Sequence, residues 1–352
     1  MKPIISLIAL TLLASVQPVL GQSSAQPQIA FQAWEEGKKA EIYTIDADGQ
    51  NLHQLTDNDF FDGAPVWSPD GQHIVFVSDR DDTKDDIYLD YGIYTMDADG
   101  QNAKLIMDNV NYEAEAAWSP DGQWIAVLSD AEATEGDAKL NCALNVMKPD
   151  GSEPQVLFTS AACDSFTPHW SPDSSRVLVN ANGSIYSVRL SDASALQLLP
   201  DSSENYAPVW SPDGSKIAYV FDQHESSENY ELYLMNADGS GQKRLTDNPA
   251  VDIAPRFTAD GKALLFSSGD DNANELYLYN LETNAIEQLT DTKTQKFSWA
   301  FSPDSSKVIY TEHLGTRNDK IYLLDVQTKS VQALGDKTFT DVGRYSWRPA
   351  SS

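Results

Sequence analysis

Residues 64–82 read APVWSPDGQHIVFVSDRDD, and the pentapeptide WSPDG at the centre of this stretch returns along the chain. Related sequences place an aromatic residue at the same point of seven segments, namely Trp67, Trp118, Trp170, Trp210, Phe257, Phe301 and Trp347. The intervals between them are 51, 52, 40, 47, 44 and 46 residues. Intervals of this length, filled with strand-like segments, are typical of a four-stranded blade of a β-propeller.

Each interval contains the same succession of four short strand patterns. A strand that ends in the aromatic residue leads through the Ser-Pro-Asp-Gly turn into an apolar strand such as HIVFVS. A third strand with a central Tyr, such as GIYTMD, follows a polar loop, and a DADG-type turn leads to a fourth strand. Apolar and aromatic segments separated by Gly and Pro turns predict antiparallel hairpins. We expect WSPDG to pack neighbouring blades together and to form a turn, which is a structural role.

The two ends of the sequence decide the number of blades. The repeats begin with a second strand, QIAFQAW, and end with a first strand, RYSWRP. Seven first strands and seven sets of the other three predict an all-β, seven-bladed β-propeller of four-stranded antiparallel blades over residues 28–349. The C-terminal strand is expected to complete the first blade, which protects sheet edges that would otherwise stay open.

The N-terminus predicts export. Residues 1–21 combine one Lys, an apolar run and small residues, a pattern typical of a secretory signal peptide, and residues 22–27 form a short linker. No later segment reaches the roughly 18 apolar residues that a membrane span needs. We expect a periplasmic or extracellular monomer that does not insert into a membrane. The net charge of −29 argues against nucleic acid and anionic membranes as partners, because both repel a surface of this sign.

The repeat resembles that of a known family. WSPDG, an apolar strand and then IYTMDADG, as in residues 67–100, are similar to the TolB-type propeller repeat. The resemblance implies the fold, and an envelope protein or a peptide as the class of partner. TolB itself carries an extra α/β domain ahead of a six-bladed propeller, so we expect a TolB-like chain without that domain. Similar propellers precede the hydrolase domain of prolyl oligopeptidase-type peptidases, but the absence of G-x-S-x-G argues against a serine hydrolase.

Two classes of function remain open. The leading hypothesis is a non-enzymatic scaffold that binds a protein or peptide in the cell envelope through one acidic, loop-rich face of the propeller. This face contains the links from fourth to first strands and the loops that connect second to third strands, which are residues 79–91, 130–139, 222–230, 269–275 and 312–320. The alternative is a polysaccharide-active enzyme, a lyase or glycosidase, with its site in the central channel. Such an enzyme needs a pair of carboxylates, or a metal with a basic residue, in the central pocket. The candidates are Asp62, Glu113, His169 and Arg256, and their convergence would support this alternative.

An acidic register suggests a cation site. The residues five positions before the aromatics are Asp62, Glu113, Ser165, Asn205, Asp252, Lys296 and Val342. If they ring the mouth of the channel, the carboxylates of Asp62, Glu113 and Asp252 could bind a hard cation such as Ca²⁺. No other cofactor is indicated. The competing interpretation is a solvated acidic rim.

Other polar residues stand close to the aromatics. His169 and Arg256, together with Ser298 and Arg344, could form a small polar pocket for an anionic sugar or peptide group. The alternative for His169 is an interior histidine with its hydrogen bonds satisfied.

The two cysteines of the chain, Cys142 and Cys163, fall on neighbouring strands of the third blade. Their predicted pairing and an oxidising compartment favour a disulfide that stabilises the fold by roughly 3 kcal/mol. Free buried thiols are the alternative.

Overall fold

The computed structural model describes residues 27–81, 91–110, 115–131, 141–161, 167–200, 205–222, 230–270, 273–315 and 318–349. These residues form 28 β-strands arranged in seven four-stranded sheets, and they contain no helix. Consequently no helix in this part of the chain is long and apolar enough to cross a membrane. The signal peptide predicted at residues 1–21 and most of the linker lie outside the described residues, and both stay predictions.

The strands follow one another blade by blade. The first three blades contain β1 (Gln28–Trp34), β2 (Ala40–Asp46), β3 (His53–Gln54), β4 (Asp62–Trp67), β5 (His73–Ser78), β6 (Tyr91–Asp97), β7 (Lys104–Val110), β8 (Ala116–Trp118), β9 (Ile125–Ala131), β10 (Asn141–Met147) and β11 (Gln155–Ser160). The next two contain β12 (His169–Trp170), β13 (Arg176–Ala181), β14 (Ser184–Arg189), β15 (Ala195–Gln197), β16 (Asn205–Trp210), β17 (Lys216–Asp222), β18 (Tyr230–Asn236) and β19 (Lys243–Arg244). The last strands are β20 (Val251–Phe257), β21 (Ala263–Gly269), β22 (Asn274–Asn280), β23 (Ile286–Gln288), β24 (Lys296–Phe301), β25 (Lys307–His313), β26 (Asp319–Asp325), β27 (Val331–Ala333) and β28 (Asp341–Trp347).

The sheet order confirms the seven-bladed propeller and its closure. Blade 1 has the order β28-β1-β2-β3, so the last strand of the chain pairs antiparallel with the first. Blades 2 to 7 each use four consecutive strands, β4–β7 through β24–β27. The innermost strands are therefore β28, β4, β8, β12, β16, β20 and β24. Buried apolar clusters join adjacent blades, as where Val75 of β5 and Val127 of β9 share one cluster.

The repeated tryptophans have the packing role that the sequence predicts. Trp67, Trp170, Trp210 and Trp347 are buried. The indole nitrogen of Trp170 donates a hydrogen bond to the Ala117 carbonyl oxygen at 3.0 Å, and that of Trp347 donates to the Ala300 carbonyl at 3.3 Å. Each acceptor belongs to the innermost strand of the preceding blade, immediately before its own aromatic residue. In these two blades the indole hydrogen bond thus fixes the height of one blade relative to the preceding one.

The WSPDG turn closes on itself. In the copy at Trp67, the Ser68 hydroxyl donates to the Asp70 carboxylate at 2.6 Å, and the backbone nitrogen of Gly71 donates to the Ser68 carbonyl at 2.8 Å. Gly71 has a φ of 66°, a left-handed conformation that favours glycine. The hydrogen bond from Ser68 lowers the pKa of Asp70, so the carboxylate stays ionised and keeps accepting. These contacts are internal to the turn and explain the recurrence of its sequence without a catalytic role.

Glycines of the DADG-type turns pack directly against the preceding blade. Gly239 has a φ of 84°, and a Cβ atom there would lie 2.6 Å from the Leu198 carbonyl oxygen. We expect Gly239→Ala to lower the free energy of unfolding by about 3 kcal/mol, since it adds an overlap to the cost of a left-handed alanine. Gly37→Ala is the matched control, because Gly37 has a φ of 77° with no atom within 4 Å of the new Cβ. It should cost only about 1 kcal/mol in urea unfolding; equal losses would contradict the packing role.

Candidate functional site

The innermost strands place two registers of side chains on the central channel. The residues one position before each aromatic are Val66, Ala117, His169, Val209, Arg256, Ala300 and Ser346, and those three positions before are Ala64, Glu115, Thr167, Ala207, Ala254, Ser298 and Arg344. All but Val209 keep access to water, whereas the prolines between them in β4, β16 and β20 are buried. These water-accessible positions lie on innermost strands, where they alternate with the buried prolines of β4, β16 and β20, so we assign the two registers to the lining of the channel.

A backbone irregularity ends the inward-facing register three positions before the aromatic. Ala64, Ala207, Ala254 and Arg344 have positive φ values of 49°, 48°, 54° and 56°. The pairing of each strand with its neighbour slips at these residues, which is the geometry of a β-bulge. A bulge changes the alternation of side chains beyond it. Residues further from the aromatic therefore do not continue the inward-facing register.

Four polar residues bridge the channel at the level three positions before the aromatics. The guanidinium of Arg344 forms an ion pair with the Glu115 carboxylate. Thr167 donates its hydroxyl to the other oxygen of Glu115 at 2.6 Å, and the backbone nitrogen of Arg344 donates to the Ser298 hydroxyl at 3.0 Å. These residues come from blades 1, 3, 4 and 7. We call them the channel bridge.

His169 and Arg256 occupy the level next to the aromatics. The Nδ1 atom of His169 accepts a hydrogen bond from the backbone nitrogen of Trp210 at 3.4 Å, which assigns the ring proton of the neutral form to Nε2. Burial, assisted by the positive charge of Arg256, lowers the pKa of His169 to about 4. The Arg256 side chain is exposed to solvent in the channel. Partial desolvation of its guanidinium by the channel walls nevertheless lowers the guanidinium pKa. The charge of Arg256 therefore acts on the His169 ring, and His169 is neutral at physiological pH.

His169 predicts a loss of stability in acid. The unfolded chain binds a proton on His169 below its ordinary pKa of 6.5, whereas the folded protein binds it only below about 4. The free energy of unfolding should consequently fall by up to about 3 kcal/mol as pH decreases from 6.5 to 4. Urea unfolding across this range should show a shallower decline for His169→Gln. His53→Gln, at an exposed position, is the control; parallel curves for His169→Gln and wild type would contradict the assignment.

The predicted calcium residues lie away from the channel lining where the structure describes them. Asp62 is fully buried, and its carboxylate accepts from the Arg80 guanidinium and from the Asn58 side chain, both at 2.7 Å. Asp252 is also fully buried and accepts from the Asn248 side chain at 2.7 Å; burial raises its pKa. Both lie at the start of an innermost strand, Asp62 in β4 and Asp252 in β20, next to the link from the preceding fourth strand.

The links share one hydrogen-bonding scheme. In blade 1 the backbone nitrogen of Asn58 donates to the buried Glu41 at 2.9 Å, and in blade 5 that of Asn248 donates to the buried Glu231 at 2.9 Å. The same Asn side chains then bind Asp62 and Asp252. The acidic register thus connects blades to their links through buried hydrogen bonds.

The calcium site stays a prediction, since Glu113 lies outside the described residues. Within the described ranges, no three His, Cys, Asp or Glu side chains are grouped so as to hold a metal ion. A ligand that binds only the folded state raises the melting temperature. Thermal melts in EDTA and in millimolar Ca²⁺ would test the site: a calcium-dependent increase supports it, and coincident melts contradict it.

The predicted disulfide also stays open. Cys142 lies in β10, opposite Ser160 of the neighbouring strand β11. Cys163 lies outside the described residues.

The sequence reasoning missed Glu115 and Thr167. It counted five positions back from each aromatic, whereas the channel bridge lies three positions back. Of the predicted pocket residues, His169 and Arg256 lie on the lining, and Ser298 and Arg344 belong to the bridge. A list of the residues three positions before the aromatics, with Glu115 and Arg344 as its only charged members, could have identified the pair.

Two relatives share parts of the sequence. A segment of 144 residues, 40% of this chain, is 31% identical to the Tol-Pal system protein TolB of Bordetella pertussis and spans 32% of that protein. A segment of 94 residues, 26% of this chain, is 32% identical to dipeptidyl-peptidase 5 of Porphyromonas gingivalis and spans 14% of it. The chain thus matches less than a third of the length of either relative.

Solved structures and a family model cover more of the chain. An oligogalacturonate lyase in complex with manganese superimposes with a TM-score of 0.62 and 15% identity, over 88% of this chain and 86% of the lyase. At that identity the likeness concerns the fold alone. Residues 131–352, more than half of the chain, match the model of the TolB beta propeller domain, PD40. With its repeats, closure and fold, the chain belongs to the TolB beta propeller domain family.

Proposed function

We propose that the protein is exported and acts in the cell envelope as a scaffold that binds a protein or peptide through its acidic, loop-rich face. The observation that carries this proposal is a set of large apolar side chains exposed at that end of the propeller. Phe60 is 40% exposed in the link before β4, Ile253 is 37% exposed at the start of β20, and Leu314 is 41% exposed after β25. Apolar side chains within a polar rim are typical of the centre of a protein interface.

The accessible chemistry favours binding over the polysaccharide-active enzyme. A glycosidase needs two carboxyl groups that reach the substrate. Asp62 is sealed from solvent and paired with Arg80, and Glu115 is held by Arg344. Of the four candidate residues of the enzyme hypothesis, only His169 and Arg256 are described on the channel lining. Similarity to TolB over part of the chain adds support for a protein partner.

A matched pair of variants tests the binding face. Phe60→Asp/Leu314→Asp places two acids on the loop-rich face, and Val156→Asp/Ile286→Asp places two acids at exposed positions of the outer strands β11 and β23. Cross-linking of the wild-type protein to its native envelope extract would identify a partner by mass spectrometry. Calorimetry with that purified partner should then give a Kd at least tenfold weaker for the loop-face variant.

The outer-strand variant should bind like the wild-type protein. Equal weakening by both variants, or no partner in the cross-linking experiment, would contradict the proposal.

The proposed export of the protein is tested separately. Sequencing the N-terminus of the mature protein should find a start near Gln22, and an intact Met1 would contradict cleavage.

A further inference from the structure

Among the residues that the structure describes, Arg256 is a cation of the channel without an anionic partner. Within the part of the chain that the structure describes, its guanidinium makes one hydrogen bond, to the neighbouring Pro255 carbonyl oxygen at 2.9 Å. The other arginine of the lining, Arg344, is neutralised by Glu115. An arginine has five N–H donors in a planar fork that matches a carboxylate. Most of these donors therefore have no acceptor among the described residues.

His169 supplies a second donor on the same level. Both residues stand immediately before the aromatic of their blades, His169 in blade 4 and Arg256 in blade 6. Because Nδ1 of His169 accepts from the Trp210 backbone nitrogen, its proton resides on Nε2, which can donate. Both side chains therefore occupy the same level of the lining, two blades apart, and the positive charge of Arg256 adds to the burial that lowers the pKa of His169.

The lining between these donors carries small or apolar side chains. Blades 5 and 6 carry only Ala207 and Ala254 at the level of the channel bridge, and Val209 next to the blade 5 aromatic is buried. The bridge itself uses residues of blades 1, 3, 4 and 7. Small side chains thus flank the approach to Arg256, while the opposite part of the lumen is crossed by the Glu115–Arg344 pair.

We propose that Arg256 and His169 form a carboxylate subsite in the channel, and that it receives an acidic side chain or the C-terminal carboxylate of the peptide partner. The subsite rests on the proposed function and specifies its ligand. Arg256 would bind both carboxylate oxygens through its fork, and His169 would donate from Nε2. The net charge of −29 repels anions from the protein as a whole, so recognition depends on these short-range contacts.

Small probes test the subsite without knowledge of the partner. The probes are the blocked tripeptide Ac-Ala-Glu-Ala-NH₂, its uncharged analogue Ac-Ala-Gln-Ala-NH₂, the free-carboxylate peptide Ac-Ala-Ala-Ala, and galacturonate. Binding is followed by chemical shifts of the protein in NMR titrations. We expect the two carboxylate peptides to bind the wild-type protein about tenfold more tightly than the Gln peptide, the effect of a charged hydrogen bond. The ratio of the two carboxylate peptides distinguishes the side-chain source from the C-terminal source.

Three variants test whether Arg256 is the residue that binds the carboxylate. Arg256→Gln should reduce carboxylate binding to the level of the Gln peptide, and Arg256→Lys, which keeps the charge but loses the fork, should bind with intermediate affinity. Arg176→Gln is the matched control, because Arg176 at the start of β13 also has no carboxylate partner within the described residues and lies outside the lining. It should bind as the wild type does. If Arg256→Gln does not fold, Arg256→Lys carries the test.

The outcomes separate this subsite from the proposed function. Carboxylate binding that is absent, or that is unchanged in the Arg256 variants, overturns the subsite. Preference for galacturonate over both peptides overturns the peptide as its ligand. If cross-linking finds a partner whose affinity is unchanged in Arg256→Gln, the subsite fails while the scaffold function stands. If the carboxylate peptides bind through Arg256 and no partner is found, the subsite stands and the scaffold function fails.

Discussion

A chain that ends after Thr340, and so lacks β28, is expected to lose its cooperative native structure. β28 is the innermost strand of blade 1, and its register with β1 extends from the pair Ile29 and Trp347 to the pair Trp34 and Asp341. Its Val342 and Trp347 are buried in the cluster that joins blades 1 and 7. The truncation exposes this apolar surface together with an edge of β1. The loss should exceed about 5 kcal/mol, comparable with the whole stability of many domains.

Near-UV circular dichroism and guanidinium unfolding would measure this loss. The matched control is a chain that ends after Pro349, which removes three residues and leaves β28 intact. The control should unfold at the same denaturant concentration as the full chain. A native near-UV spectrum and an unchanged midpoint for the chain that ends at Thr340 would refute the closure of the ring by β28.

Replacement of Lys296 by Met is the second large effect. The Lys296 side chain is fully buried, and its Nζ atom lies 2.8 Å from Glu275 Oε2 and donates to the Thr292 hydroxyl at 2.8 Å. Glu312 is buried nearby, with 3.8 Å between its Oε1 atom and Nζ. Methionine would fill the volume but leave two buried carboxylates without a cation. We expect the free energy of unfolding to fall by about 3–5 kcal/mol.

Two further variants identify the origin of that loss. Lys307→Met removes the partly exposed cation that lies 3.6 Å from Asp325, and it should cost at most about 1 kcal/mol. In the double variant Lys296→Met/Glu275→Gln the uncompensated charge is reduced, so its loss should be smaller than that of Lys296→Met alone. Urea unfolding at pH 7 measures all three; a double variant less stable than Lys296→Met would argue against buried charge as the cause.

The same site predicts a change in pH dependence. Burial alone would raise the pKa of Glu275, but hydrogen bonds from Lys296, Thr290 and the Lys293 backbone outweigh it and lower the pKa. Because the pKa of Glu275 in the folded protein is below its ordinary value of 4.5, ionised Glu275 stabilises the wild-type fold above pH 4.5. This stabilisation is lost as pH falls through the folded pKa. Without Lys296, burial dominates and Glu275 favours its neutral form. The deficit of Lys296→Met should therefore shrink as pH falls from 7 towards 5.

The sequence contained the information for the fold because that information is local and repeated. WSPDG specifies a turn through contacts of Ser68, Asp70 and Gly71 with one another, and Trp67 specifies the packing of one blade on the next. Each blade repeats these turn and packing residues, so the number of blades can be counted even where one repeat departs from the common sequence. The position of β28 in blade 1 followed from the missing first strand at the N-terminal end of the repeats.

The sequence could not show which side chains face the channel. The acidic ring was predicted from the residues five positions before the aromatics, and strict alternation would place Asp62 on the same side as Ala64 and Val66. The bulge at Ala64 changes the alternation, so Asp62 is buried against Arg80. Glu115 and Arg344 are more than 200 positions apart in sequence, and they pair because the closed ring brings blades 1 and 3 to the same lumen. Neighbouring residues determine the turns and strands. The channel lining is determined by backbone irregularities and by the closure of the ring, and these are features of the tertiary structure alone.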